Sequence, residues 1–156
     1  MSKVLFIAAI VLTLVSCSQE QPRRRMPSRD DLIEYNRKLV HRDSMVIATY
    51  CRAQSLDTVP SRQGLWLTIT SEGDGRGIES GNVVTLAYRI SDIDGTEYYT
   101  SERDGHKQIA VGSGQDIVAL DMALPQLKLG SKATIIAMPD QAYGLVGDEN
   151  RIRGRR

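Results

Sequence analysis

The chain has 156 residues, a length that suits one folded domain with an additional segment. Hydrophobic residues make up 41% and charged residues 25% of the sequence, which is the balance of an ordinary globular protein. The formal net charge is only +1, so the composition gives no reason to expect nucleic acid or an acidic molecule as a partner.

The N-terminus has the pattern of a secretory signal peptide. Lys3 precedes an apolar run, Val4 to Val15, which is shorter than the roughly 20 residues that a membrane-spanning helix needs. The run leads to Leu14-Val15-Ser16-Cys17, which resembles a bacterial lipobox. That resemblance implies that residues 1–16 are removed and that Cys17 is lipidated as the first mature residue. The alternative is an ordinary signal peptide beside a chance cysteine.

Residues 17–27 are predicted to form a lipidated tether. Removal of residues 1–16 takes away Lys3 and leaves 19 basic and 19 acidic residues, so lipid and not charge would hold the chain to a membrane. The run Arg23-Arg24-Arg25 could touch anionic lipid, but such runs are more often simply solvated.

Residues 28–55 are predicted to form one long helix. Ser28 is a suitable N-cap, and Asp31 three positions later resembles the second half of a capping box. Cys51 is expected to be a packed, unpaired thiol. Apolar residues recur at helical spacing: Leu32, Tyr35, Leu39, Val46 and Tyr50. We expect this stripe to pack within the chain, with a homodimer through the helix as the alternative.

From Gly64 onward the sequence changes to short strands and turns. One short apolar helix is predicted at 117–124, closed by Pro125. Strands are predicted at 65–69, 83–90, 97–101, 109–111 and 132–138. The prediction is an α+β fold with a mainly antiparallel sheet and one short helix, preceded by the long N-terminal helix.

Three motifs in this region carry a family resemblance: Gly81-Asn82-Val83-Val84-Thr85-Leu86-Ala87-Tyr88, Leu127-Lys128-Leu129-Gly130 and Pro139-Asp140-Gln141-Ala142-Tyr143-Gly144. With them, residues 64–152 resemble the FK506-binding (FKBP-type) peptidyl-prolyl cis–trans isomerases. We assign residues 64–156 to such a domain, an antiparallel sheet wrapped on a short helix. The lipobox and long helix also resemble the lipoprotein isomerases of Bacteroidetes-type bacteria, some of them linked to gliding motility.

The resemblance implies a catalytic set of Tyr143, Tyr88 and Ile117. Tyr143 would donate its hydroxyl to a substrate carbonyl, the backbone N–H of Ile117 would hold a second carbonyl, and Tyr88 would form a wall. The implied substrate-binding residues are Tyr98 as a second wall, Leu120 as the floor, and Ile152. The implied substrates are proline-containing polypeptides, and no cofactor or metal is expected. The alternative is that these are core residues of a small sheet domain.

Three departures from the family pattern leave other functions open. Leu120 stands where well-studied members have tryptophan, and Tyr99 stands where they have aspartate. The family's final strand is expected to be missing after Ile152. A folding isomerase of the cell envelope, lipid-anchored on the periplasmic face, is favoured. A non-catalytic binding or chaperone lipoprotein and an incomplete product that does not fold alone remain as alternatives.

Overall fold

The computed structural model describes residues 26–56, 59–60 and 63–154. The predicted signal peptide, the lipidation site Cys17 and most of the predicted tether lie outside these residues. The chain divides between Tyr35 and Asn36 into two compact units. Among the residues that the structure describes, no helix is both long enough and apolar enough to cross a membrane.

The long helix, α1, spans Arg29–Ala53, and its start is a capping box as predicted. Asp31 N–H donates to Ser28 Oγ at 3.1 Å, and Ser28 N–H donates to Asp31 Oδ2 at 2.9 Å. Two backbone donors that a helix end leaves free are thereby satisfied. The hydrogen bond from the Ser28 side chain, followed by that from its backbone, lowers the pKa of the Asp31 carboxyl.

The packed face of α1 differs from the predicted stripe. Ile47 and Cys51, one turn apart, are buried against Trp66, Ile136 and Met138. Tyr50 lies against the same cluster, as the stripe required. The stripe residues Leu32, Tyr35 and Val46 are exposed, so that part of the prediction was wrong. Successive side chains of a helix are about 100° apart around its axis. A stripe drawn through Val46 instead of Ile47 therefore faces away from the core.

Seven short strands pair only in antiparallel fashion within the described ranges. They are β1 Val59–Pro60, β2 Leu65–Ser71, β3 Val83–Leu86, β4 Arg89–Ser91, β5 Glu97–Thr100, β6 Lys107–Ala110 and β7 Lys132–Ala137. A three-stranded sheet has the order β1-β2-β7, while β3 pairs with β6 and β4 pairs with β5. The mixed α and β composition and the antiparallel pairing agree with the predicted fold class.

The predicted strand 83–90 is interrupted at Ala87 and Tyr88. Its two halves, β3 and β4, pair with different strands, which places Tyr88 at a break between two strand pairs. Ser101 holds this break, because Tyr88 N–H donates to Ser101 Oγ at 3.2 Å and Ser101 N–H donates to Tyr88 O at 2.8 Å. Ser101, predicted as the last residue of the strand 97–101, instead begins a one-turn helix, α2 (Ser101–Asp104), capped by Thr100.

The predicted apolar helix is α3, Val118–Ala123. Its buried residues Ala119 and Ala123 pack against Leu65. Pro125, which was predicted to close this helix, lies inside a 3-10 turn, Leu124–Gln126, that follows the helix directly. A separate core cluster contains Ile78, Val84, Ile109, Val111 and Leu124. After β7, a second 3-10 turn, Pro139–Gln141, leads the chain to Tyr143.

Candidate functional site

Tyr143 is the centre of the candidate site. It follows the Pro139–Gln141 turn, is partly buried, and its carbonyl accepts a hydrogen bond from Gly147 N–H at 2.9 Å. Burial raises the pKa of its phenol to about 12, and the negative charges of Asp116 and Asp148 act in the same direction. The hydroxyl is therefore protonated at neutral pH and can serve as a hydrogen-bond donor.

Two further tyrosines, Tyr99 and then Tyr88, make smaller electrostatic contributions to the raised pKa of Tyr143. We call Tyr88, Tyr99 and Tyr143 the tyrosine cluster. All three are partly buried. The sequence prediction named Tyr88 and Tyr143 together, and their roles in a site stay a prediction. Tyr99 had been noted only as a departure from the family pattern, and the structure adds it to the cluster.

Tyr98, predicted as a second wall, has different surroundings from Tyr99. Its hydroxyl donates to Asp92 Oδ2 at 3.1 Å. Its carbonyl accepts hydrogen bonds from Arg103 at 2.6 Å and from Arg151 at 3.1 Å. Successive side chains of a strand point to opposite faces, which accounts for the separate partners of Tyr98 and Tyr99 on β5. A role for Tyr98 in binding substrate stays a prediction.

The backbone N–H of Ile117 already has a partner in this structure. It donates to Asp116 Oδ1 at 2.8 Å, and the other carboxylate oxygen of Asp116 pairs with Lys107 Nζ at 2.6 Å. The Asp116 side chain is only 13% exposed, so this ion pair is shielded from solvent on the carboxylate side. For the Ile117 amide to hold a substrate carbonyl, as predicted, the Asp116 carboxylate must first turn away.

The side chains of Ile117 and Leu120 pack in two different core clusters. Ile117 lies against Leu65, Ala119 and Ala123. Leu120 lies against the other cluster, which includes Val111. Both side chains are partly buried, so each could contribute a surface to a site as well as to the core. The predicted floor at Leu120 stays a prediction.

Ile152 is buried, with 5% of its surface exposed, and the neighbouring Asp148 fixes its backbone. Asp148 Oδ1 accepts hydrogen bonds from Ile152 N–H at 2.8 Å and from Asn150 N–H at 3.0 Å. Gly147 and Arg153 form an antiparallel bridge that closes the loop. We call residues 147–153 the C-terminal segment. They form one folded loop that contains the buried side chain of Ile152.

The C-terminal segment is tied to β5 and α2 by polar contacts. The Tyr99 hydroxyl donates to the Asp148 carboxylate, and this hydrogen bond is the main cause of a raised pKa at Tyr99. The Arg151 guanidinium lies 4.7 Å from the centre of the Tyr99 ring and donates to Asp104 Oδ1 at 2.7 Å. Burial raises the pKa of Asp148, but the hydrogen bonds from Tyr99 and from backbone N–H groups together lower it overall.

Asp104 is the second carboxylate of this polar network. The Thr100 N–H, which donates to it at 3.0 Å, is the main cause of a pKa lowered to about 2. Burial acts in the opposite direction and raises the pKa, while hydrogen bonds from Arg151 and Arg103 lower it further. Sequence reasoning missed Asp104, Asp148 and Arg151, because no spacing rule marks residues that meet across 40 or more positions. Among the described residues, no set of three His, Cys, Asp or Glu side chains is grouped to hold a metal ion.

Comparison with known proteins identifies a family whose model matches this sequence. The model of the FKBP-type peptidyl-prolyl cis-trans isomerases matches residues 75–155. FK506-binding protein 1 of Gibberella zeae is 36% identical over 86 residues, which are 52% of this chain and 78% of that protein. Peptidyl-prolyl cis-trans isomerase Fkbp12 of Drosophila melanogaster is 34% identical over 87 residues, 54% of this chain and 80% of that protein.

A likeness in fold extends over more of the chain. The crystal structure of FkpA from Escherichia coli aligns with a TM-score of 0.62 at 18% sequence identity. The alignment covers 99% of this chain and 76% of that chain. At this level of identity the likeness concerns the fold alone.

Proposed function

The chain belongs to the FKBP-type peptidyl-prolyl cis-trans isomerase family, and we propose that it accelerates rotation about X–Pro bonds in polypeptides. Such a bond rotates slowly because its partial double-bond character sets a barrier of roughly 18–20 kcal/mol. The observation that carries the proposal is the partly buried Tyr143, whose raised pKa keeps its hydroxyl protonated and which lies within the residues that the family model matches.

The proposed mechanism is preferential binding of the twisted amide, with no covalent bond made or broken. A twisted amide loses resonance and charge separation, so apolar surroundings favour it over the planar form. The ring faces of the tyrosine cluster and the side chains of Ile117, Leu120 and Ile152 supply such surroundings. The Tyr143 hydroxyl then donates a hydrogen bond to one substrate carbonyl, and the Ile117 N–H donates to a second one when the Asp116 carboxylate turns away. Tyr98, the predicted second wall, is not part of this mechanism, because its side chain points to the face of β5 opposite to that of Tyr99.

In the cell, we propose a lipid-anchored protein of the cell envelope, on the periplasmic face, that assists the folding of exported proteins. The signal-peptide pattern and the Leu14-Val15-Ser16-Cys17 motif support lipidation at Cys17. Residues 17–27 then act as the tether, α1 as the N-terminal helix, and residues 64–156 as the isomerase domain. The lipoprotein isomerases of Bacteroidetes-type bacteria are the form that this arrangement resembles. A homodimer through the exposed surface of α1 belongs to the same proposal.

A Tyr143→Phe substitution in the full chain tests the catalytic proposal. The change removes one hydroxyl and keeps the ring, so kcat/KM on a proline tetrapeptide should fall roughly threefold to tenfold, the value of one hydrogen bond. Tyr35→Phe is the matched control, because Tyr35 is an exposed tyrosine of α1. A wild-type rate equal to the uncatalysed rate would contradict the proposal, and so would equal rates for Tyr143→Phe and Tyr35→Phe.

The hydrogen bond from Ile117 N–H to Asp116 favours a second candidate, a binding module without catalysis. A donor already occupied by the chain's own carboxylate is less able to orient a substrate carbonyl. In that case a proline peptide would bind, as measured by calorimetry, and Tyr143→Phe would weaken binding, but the rate of isomerisation would stay at the uncatalysed value. Acceleration by the wild-type chain would reject this candidate.

A further inference from the structure

The Tyr99 hydroxyl and the Asp148 carboxylate join two parts of the chain that are 49 residues apart. Tyr99 lies on β5, and Asp148 lies in the C-terminal segment that contains Ile152. Tyr99 is partly buried, and the Arg151 guanidinium lies over its ring. The Tyr99 side chain therefore contacts the C-terminal segment at two residues, Asp148 and Arg151. Neither contact could be read from sequence spacing.

The Asp148 carboxylate divides its two oxygens between these two parts. Oδ2 accepts the Tyr99 hydroxyl, while Oδ1 accepts the N–H groups of Asn150 and Ile152. The phenol of Tyr99 therefore reaches the backbone of Ile152 through a single rigid carboxylate. Because hydrogen bonds to a charged acceptor are stronger and more directional than neutral ones, this link restricts where Ile152 can lie.

Tyr143 also contacts the C-terminal segment, through the residue that precedes Asp148. Gly147 N–H donates to Tyr143 O, and Gly147 immediately precedes Asp148. The negative charge of Asp148 also raises the pKa of the Tyr143 phenol. A shift of the C-terminal segment away from β5 would therefore move Ile152 and loosen the backbone that follows Tyr143.

From these contacts we propose that Tyr99 and Asp148 form a latch that positions Ile152 and Tyr143 for substrate binding. Tyr99 is in this view a positioning residue, which acts on substrate through Asp148 and the C-terminal segment. The proposal rests on the proposed isomerase function. It predicts that opening the latch weakens substrate binding more than it slows the rotation of bound substrate.

Tyr99→Phe in the full chain is the decisive variant, because the ring that faces Arg151 is kept and only the hydroxyl is lost. We expect KM for a proline tetrapeptide to rise roughly fivefold, with kcat changed less than about twofold. Asp148→Asn should give a similar rise. The double variant should be no worse than the more affected single variant, because both changes open the same latch. Tyr35→Phe, the exposed tyrosine of α1, is the control.

Amide hydrogen exchange measured by NMR tests the latch without reference to activity. In Tyr99→Phe the N–H groups of Asn150 and Ile152 should exchange roughly tenfold faster, while those paired between β2 and β7 keep their rates. Unchanged exchange in the C-terminal segment would overturn the proposal. Faster exchange of these amides with an unchanged KM would also overturn the proposal, because the hydrogen bond between Tyr99 and Asp148 would then stabilise the fold without affecting substrate binding. Independent, multiplying effects in the double variant would do the same.

Failure of the two proposals can be told apart. A wild-type chain without isomerase activity would reject the proposed function, and the positioning role with it, while exchange rates would still report whether the contact holds the segment. An active wild-type chain, with Tyr99→Phe indistinguishable from Tyr35→Phe, would reject the positioning role alone.

Discussion

The packing around Trp66 and the C-terminal segment are stabilised in different ways. Trp66 lies on β2 in an apolar cluster with Ile47 and Cys51 of α1 and with Ile136 of β7. The C-terminal segment instead depends on two carboxylates, Asp148 and Asp104, and on a glycine turn. Apolar packing spreads stability over many weak contacts, whereas the polar segment concentrates it in a few directional ones. Single substitutions should therefore affect the two regions in different ways.

The largest effect is expected from Trp66→Ala. Trp66 is buried, and truncation of a large aromatic side chain in a core costs about 3–5 kcal/mol. Chemical denaturation followed by far-ultraviolet circular dichroism would measure the loss. Val83→Ala on β3, an exposed position, should stay within about 0.5 kcal/mol of the wild type. Equal losses for the two variants would mean that the cluster around Trp66 does not stabilise the fold.

Gly147→Ala is expected to have the next largest effect. Gly147 has a φ of 85°, and a Cβ there would collide with the carbonyl oxygen of Ile152. Gly81 has the same φ of 85° but open space around the position of a Cβ. Gly81→Ala should thus cost only the backbone strain, about 1–2 kcal/mol, and Gly147→Ala should cost more. Equal midpoints of thermal unfolding for the two variants would contradict the close approach.

Acid should weaken the ties of the C-terminal segment through Asp104. Its pKa is about 2 in the folded protein, below the ordinary 3.8. Because the folded pKa is the lower one, the stabilisation is complete above about pH 4 and is lost as the pH falls toward 2. The melting temperature of Asp104→Asn should accordingly fall less steeply than that of the wild type between pH 4 and pH 2. Parallel slopes would show that Asp104 is not responsible.

The smallest effect is expected at the start of α1. Ser28→Ala removes the N-cap, which is typically worth about 1 kcal/mol, and its consequence should be confined to the first turn. The amides near Asp31 should exchange faster, and the midpoint of global unfolding should move little. Ser28→Asp, which keeps a capping oxygen, should restore the exchange rates. A large global destabilisation by Ser28→Ala would contradict local fraying.

The sequence predicted those parts of the fold that depend on periodicity and composition. The capping residues of α1 and the apolar runs of β2 and β7 were recognisable, because burial and hydrogen bonding select residue types at fixed spacing. The break at Tyr88 was not predictable, since it arises from the pairing of its two flanks with different strands. The face of α1 was misplaced because Val46 and Ile47 are equally apolar, and only tertiary contact decides between them.

The candidate site shows the same limit. Tyr88 and Tyr143 were identified through a family motif and not through any physical pattern of their own. Tyr99 looked like a loss of function in the sequence, because its partner Asp148 lies 49 residues away. Polar contacts between distant residues follow no periodicity, so the structure was needed to find them.

The position of Trp66 has a practical consequence. It is the one tryptophan of the whole sequence, and it packs beside Cys51 at the contact between α1 and the three-stranded sheet. Its intrinsic fluorescence therefore reports on whether the helix is docked, and a red shift in emission would signal undocking. The tyrosine cluster contains no indole, so excitation at wavelengths that tyrosine does not absorb would follow the helix contact separately from events at the candidate site.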